Sequence, residues 1–349
     1  MFDINNTFRK YIFFFIIITF ISCERAKKDS ELFFIQGNVA YKKGNFEEAI
    51  KFYSEAIEKT PDFADAYNNR GTVKMASNKL QEAIADFEKA LSIDNEFTLA
   101  KYNLGEAYSN TQELDKSLEL LMQIEKNYED SSFYFVTLSN VLIKKNNYAE
   151  ANSFLLNAIR LDKNNDKALT NLGFIQYSEK KYSDAKVSFE RAISLNPNQD
   201  LAYNNLSLIY ANQEDYSKAI EFVDKAIILN KSILYENNKG YYLLNMGKLE
   251  EGKKLIEKVI ENDSKNAWAY RNLGLYYLFT KNYTQALENF EKSDNLDPSV
   301  ELLNYYLGLT QKSLGNQTKA CQYWEVGKKL NEAKSIEALI KFCQWNAAH

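Results

Sequence analysis

Histidine is nearly absent from this sequence: of 349 residues the only one is the last, His349. Catalysis through a buried imidazole, and any metal site built on two or more imidazoles, are thereby excluded. An excess of basic charge is also missing, since 43 Lys and Arg face 47 Asp and Glu for a formal charge of -4. No basic face able to track nucleic acid is implied. Long apolar runs are lacking too. The one that stands out, Tyr11 to Ile21, would rise about 16 Å as a helix, roughly half the hydrocarbon thickness, which disfavours a permanent single span. What is present is 45% hydrophobic and 26% charged residues, with 24 Tyr and 22 Phe, the composition of folded protein rather than of a disordered chain. The length suits two or three domains, or one extended array.

Arg9 and Lys10 precede the apolar run, and Ser22-Cys23 follow it before an abrupt turn to Glu24-Arg25-Ala26-Lys27-Lys28-Asp29. That is the layout of a signal peptide. Phe20-Ile21-Ser22-Cys23 resembles the bacterial lipoprotein signal, which implies cleavage after residue 22 and lipidation of Cys23. An ordinary signal peptide and an uncleaved anchor are the other readings. Acyl chains contribute about 0.8 kcal/mol per buried methylene, and two or more hold a protein on a bilayer. The resemblance implies a location in the cell envelope, at the outer membrane facing the periplasm, with residues 23–29 as the lipidated cysteine and an extended linker.

From Ser30 to Lys334 the sequence repeats with a period of 34, nine times, the sixth unit being one residue short. Column 8 of the unit holds Gly37, Gly71, Gly105, Ser139, Gly173, Ser207, Gly240, Gly274 and Gly308. Column 20 is mostly Ala, column 27 is small in most units, and the three prolines Pro61, Pro197 and Pro298 share column 32. The remaining glycines Gly44, Gly247 and Gly315 share column 15. The 3.6-residue period within each half-unit predicts two amphipathic helices. Column 15 is then the turn between them, with Gly in the left-handed conformation, and column 32 proline stops the second helix. Columns 8, 20 and 27 are close approaches between helix axes.

Tyr270, Leu273-Gly274, Tyr277, Ala286, Phe290 and Pro298 resemble the tetratricopeptide repeat pattern, and the resemblance covers residues 30–334. It implies an all-α fold, a right-handed α-solenoid of nine helix-turn-helix repeats. Residues 335–349 are expected to form a C-terminal capping helix through Ile336, Leu339, Ile340 and Cys343. Departures at Lys101, Ser117 and Ile124 in repeat 3, Ser139 and Lys163 in repeat 4, and Gly252 and Val259 in repeat 7 mark expected bends or looser packing. Cys321 and Cys343 fall level across the turn near Glu332; they form either a disulfide or two buried thiols.

In the family, columns 2, 5, 6, 9, 12 and 13 of the first helix face a concave groove. Column 6 carries Asn69, Asn103, Asn171, Asn205, Asn238 and Asn272, a ladder that either holds the backbone of an extended partner or bridges adjacent helices. Tyr241, Leu244, Trp268, Leu275, Leu278, Phe279, Tyr305, Tyr306 and Leu309 make the carboxyl half the better docking surface, with packing between helices as the other reading of each ring. The partner-binding candidates are accordingly Asn171, Asn205, Asn238, Asn272, Tyr241, Trp268, Phe279 and Tyr305. Clamps of the Hsp90-binding type are not expected, because Phe34, Leu99 and Asn103 stand in their basic columns of repeats 1 and 3.

Other motifs carry little. Asp162, Asn164 and Asp166 have calcium-loop spacing, but Lys167 and Gly173 replace the required Gly and Glu. Ser178 and Lys181 form an S-x-x-K without its partner motifs. Glu47-Glu48 and Glu250-Glu251 suit the first turns of second helices, where carboxylates favour the helix dipole. No metal, no cofactor and no enzymatic activity are expected. The reading is an interaction scaffold for a protein segment, extended or helical, with an accessory glycan or small-ligand binder as the alternative.

Overall fold

The computed structural model describes residues 24–343; the segment read as a signal, with Cys23, and the tail after Cys343 lie outside the described residues. All regular structure among the described residues is helical, and it falls into two compact units that part between Lys163 and Asn164.

The first unit holds four helix pairs. They are α1 (24–42) with α2 (Phe46–Lys59), α3 (Ala64–Ala76) with α4 (Leu80–Ile93), α5 (Thr98–Asn110) with α6 (Leu114–Gln123), and α7 (Ser132–Lys144) with α8 (Tyr148–Leu161). Residues 24–29, expected as an extended linker, are helical and continuous with α1. They contain Glu, Arg, Ala and Lys with no Gly or Pro, all good helix formers, and so rise only about 9 Å.

The second unit holds five pairs and a final helix. The pairs are α9 (Asp166–Ser178) with α10 (Tyr182–Leu195), α11 (Asp200–Asn212) with α12 (Tyr216–Leu229), α13 (Ile233–Asn245) with α14 (Leu249–Asn262), α15 (Ala267–Phe279) with α16 (Tyr283–Leu296), and α17 (Leu303–Ser313) with α18 (Gln317–Lys329). The last helix is α19 (Ala333–Phe342). Nine helix pairs and one added helix are the elements expected of an all-α repeat fold with this 34-residue period.

Seven of the pairs close on the same contact, a column 8 glycine against the side chain sixteen residues on. A β-carbon added at Gly37, Gly71, Gly173 or Gly274 would lie under 3 Å from the ring of Tyr53, Phe87, Phe189 or Phe290, sixteen residues on in the second helix of the same pair. At Gly308 the neighbour is Trp324. Where column 8 is serine, at Ser139 and Ser207, the residue sixteen on is the smaller Leu155 or Val223. An aromatic ring in column 24 thus occurs only opposite glycine.

Column 15 adopts the left-handed conformation in every repeat. Gly44, Gly247 and Gly315 have φ of 78°, 80° and 86°, and the non-glycine residues Asn78, Gln112, Asn146, Lys180, Glu214 and Lys281 lie between 58° and 66°. The turn geometry is therefore common to all nine pairs, and six side chains tolerate it at a cost of about 1–2 kcal/mol each.

Repeat 3, one of the expected departures, differs in its second helix. α6 stops after ten residues and the chain continues as a 3₁₀ turn, Glu125–Tyr128, beside buried Ile124 in the column that is Ala in five of the nine repeats. Repeats 4 and 7 keep second helices of fourteen residues. In repeat 7, Gly252 lets α14 approach so closely that a β-carbon there would lie 2.9 Å from the Gly240 carbonyl oxygen.

At the carboxyl end, Ala338 and Leu339 of α19 cover Trp324 and Ala320, and Phe342 stacks on Trp324 at 5.6 Å. The covering face is therefore Ser335, Ala338, Leu339 and Phe342, spaced i, i+3, i+4, i+7; Ile336 and Ile340, expected in the cap contact, face outward. Cys321 and Cys343 are joined by a disulfide, their Cα atoms 5.9 Å apart. The Glu332 carboxylate accepts from the backbone N–H of Tyr305 at 3.1 Å and from the Ser335 hydroxyl at 2.6 Å, tying the cap turn to the first turn of α17, where an anion is favoured.

Candidate functional site

Within each unit the first helices of neighbouring pairs touch one another, as α3 does α5, α9 does α11, α13 does α15 and α15 does α17. They form the inner side, and columns 2, 5, 6 and 9 of these helices set its chemistry.

The asparagines of columns 5 and 6 work as a ladder between repeats. Asn103 Nδ2 donates to Asn68 Oδ1 at 2.8 Å, Asn238 to Asn204 at 2.9 Å and Asn272 to Asn237 at 3.0 Å. In each case column 6 donates to column 5 of the preceding repeat. Bridging between helices is the role these contacts show, and Asn272 is 1% exposed. Asn171 and Asn205 are half-buried in the equivalent places.

The predicted aromatic residues divide. Trp268 and Phe279 are 40% and 41% exposed and stand at the two ends of α15. Tyr241 is half-buried, and its ring meets those of Tyr216 at 6.3 Å and Tyr242 at 5.9 Å edge-on. Tyr305 is half-buried against Tyr306 at 5.3 Å and against the cap cluster, and its carbonyl accepts from Trp324 Nε1 at 3.1 Å. Leu244 and Leu275, read from the sequence as groove residues, are buried in the core of the second unit; Leu244 fills the space beside Gly252.

Sequence reasoning missed Arg271. It occupies column 5 of α15, is 5% exposed, and its guanidinium lies 4.7 Å from the Tyr241 ring centre and 5.0 Å from that of Trp268. Its Nε has no hydrogen-bond partner, and neither has Oδ1 of the adjacent Asn272. Among the described residues no carboxylate pairs with it. The available signal was the interruption of the column 5 series Thr170, Asn204, Asn237 by a cation.

The phenols around it are held neutral. Burial first, then Tyr241, pushes the Tyr216 and Tyr306 hydroxyls well above the usual phenol range, although Arg271 pulls Tyr306 the other way. Burial does the same at Tyr242 and Tyr177. These groups are hydrogen-bonding hydroxyls, not bases.

The other motifs have structural uses. Asp166 accepts from the side-chain amides of Asn196 and Gln199, and among the described residues no cluster suits a metal ion. The Ser178 hydroxyl donates to the Phe174 carbonyl while Lys181 pairs with Glu179. Glu47 pairs with Lys79, and Glu250 accepts from the Tyr276 hydroxyl.

Comparison with known proteins agrees with this architecture. Family models for the tetratricopeptide repeat match residues 37–76, 74–135, 166–199, 188–221, 237–266 and 255–288, together more than half the chain. DnaJ homolog subfamily C member 7 of Mus musculus is 31% identical over 104 residues, 28% of this chain and 21% of that protein. Hsp70-Hsp90 organizing protein 3 of Arabidopsis thaliana is 34% identical over 84 residues, 24% and 15% of the two chains. The matched stretch thus spans about a fifth or less of either relative. The solved Cut9–Hcn1 hetero-tetramer of the APC/C superposes with a TM-score of 0.61 over 90% of this chain and 76% of that one at 14% identity, a likeness of fold alone. With a small-against-large contact in seven of the helix pairs and a left-handed turn at every column 15, the chain belongs to the tetratricopeptide repeat family.

Proposed function

We propose that this protein is a non-catalytic interaction scaffold that holds a segment of a partner protein on the inner side of its second unit, and that it is tethered to the cell envelope through lipidated Cys23. The observation that carries the first part is the aromatic inner surface of α13 and α15. Trp268 and Phe279 are open to solvent there, and large rings near a polar rim are the groups that anchor protein segments. The tether rests on Arg9, Lys10, the apolar run and Ser22-Cys23, and an outer-membrane, periplasm-facing position rests on the same resemblance.

The test is site-specific photocrosslinking in cells. A photoreactive residue at position 279 or 268 is compared with one at Ile228, which is 81% exposed on the second helix α12. Adducts to the same protein from 268 and 279, absent from 228 and lost in a Tyr241→Ala, Tyr305→Ala double variant, support the scaffold. Adducts from all three positions, or none, count against it; a groove that instead answers only to cell-wall fragments in Trp fluorescence points to the glycan binder. For the tether, Cys23→Ala is expected to abolish incorporation of labelled palmitate and change the membrane fraction. Unchanged labelling removes the lipoprotein part and leaves the scaffold untouched.

A further inference from the structure

The inner side of the second unit contains a cation without a counterion. The guanidinium of arginine is a fork of charged donors with no acceptor, and Arg271 is 5% exposed. Removing a charge from water without pairing it is strongly unfavourable. The rings of Tyr241 and Trp268 offset part of that cost, yet Nε remains without an acceptor.

The reason lies in the ladder. In repeats 2, 6 and 7 column 5 supplies an acceptor, Asn68, Asn204 or Asn237, to column 6 of the next repeat. In repeat 8 column 5 is Arg271, a donor, and column 6 of repeat 9 is Tyr306. Tyr306 is itself buried, its ring stacked on Phe290 at 5.8 Å. The amide series therefore ends at a charged donor that nothing in the unit satisfies, between an exposed Trp and a half-buried Tyr.

We propose that Arg271 anchors a carboxylate side chain, Asp or Glu, of the protein segment bound on this face. A guanidinium presents parallel donors matched to a carboxylate, and the flanking rings would exclude water from the pair. The inference rests on the scaffold reading and adds the charge of the partner to it. Arg271 stands in the eighth repeat, away from the repeat 1 and 3 columns occupied by Phe34, Leu99 and Asn103.

The experiment is selection of random twelve-residue peptides on the full chain. The peptides are displayed at the amino end of a phage coat protein, so that they offer no free carboxyl terminus. Winners are resynthesised with amidated ends and measured by fluorescence anisotropy. The expected result is an Asp or Glu at one shared position, whose change to Asn or Gln weakens binding at least tenfold to the native protein. Against Arg271→Gln the same peptide change has no further effect, and Arg271→Lys falls between. The peptide-side change needs no altered protein, so the test survives if Arg271→Gln does not fold.

Winners without a shared acidic position that bind Arg271→Gln like the native chain overturn the anchor and leave the scaffold standing. Winners insensitive to Trp268→Ala, or no winners, overturn both. Displacement of nothing acidic but saturable binding of inorganic phosphate, lost in Arg271→Gln, assigns the residue to a small anion and also overturns the proposal.

Discussion

Gly274 lies so close to Phe290 that a β-carbon on it would sit 2.6 Å from the ring Cδ1. The same pairing recurs through the stack, and it makes column 8 and column 24 one packing unit rather than two conserved-looking positions. Gly274→Leu is expected to destabilise the chain by about 1–3 kcal/mol through overpacking. Equilibrium denaturation measures it, and an unchanged midpoint removes the contact from the account.

The serine repeats supply the converse. Leu155→Phe alone should cost about 1–3 kcal/mol, because Ser139 leaves no room for a ring. Adding Ser139→Gly should recover part of that loss. A double-mutant cycle reads the coupling; additive effects mean that the two positions do not pack as one unit.

Lys281 pays for its left-handed backbone, with φ at 61°. Lys281→Gly should raise stability by about 0.5–1 kcal/mol, the relief of that strain less the added freedom of the unfolded chain. Gly247→Ala, at φ 80° with open space around it, should lower stability by a similar amount. Thermal melts of the two variants moving in the same direction would contradict the turn assignment.

Alkaline pH should unfold the protein. Burial pushes the Tyr53 and Tyr102 hydroxyls up to about 12 and raises those of Tyr242 and Tyr306. The folded state favours the neutral phenol, so this stability is complete below about pH 10, where tyrosines of the unfolded chain ionise. It is lost as the pH rises toward 12. Absorbance at a phenolate wavelength and circular dichroism should change together; ionisation of all tyrosines well before unfolding would contradict the burial.

Reduction should release the cap. The Cys321–Cys343 bond spans 22 residues, for which loop closure in the unfolded state corresponds to about 3 kcal/mol. Cys321→Ser is expected to accelerate amide exchange in α19 and to expose Trp324, with the remaining helices unaffected. Protection of α19 equal to that of the native protein would show that the cap is held by packing alone.

Much of this molecule is legible without coordinates. Helix content, the 34-residue unit, the turn at column 15 and the small residues at columns 8, 20 and 27 follow from periodicity, because α-helical geometry and close axis approach act over a few residues and recur identically. The same locality explains what periodicity does not reach. Leu244 and Leu275 share columns with groove residues, yet Gly252 draws a helix close enough to bury Leu244, and Leu275 packs into the core of the second unit. The asparagine column was visible, but its use as a bridge depends on acceptors 34 or 35 residues away. Arg271 stands in a column whose residues vary from Phe and Val to Thr and Asn, so periodicity assigns it no role. Only the tertiary packing, which encloses it between Tyr241 and Trp268 and brings no carboxylate to it, turns that position into a buried charge with a vacant side.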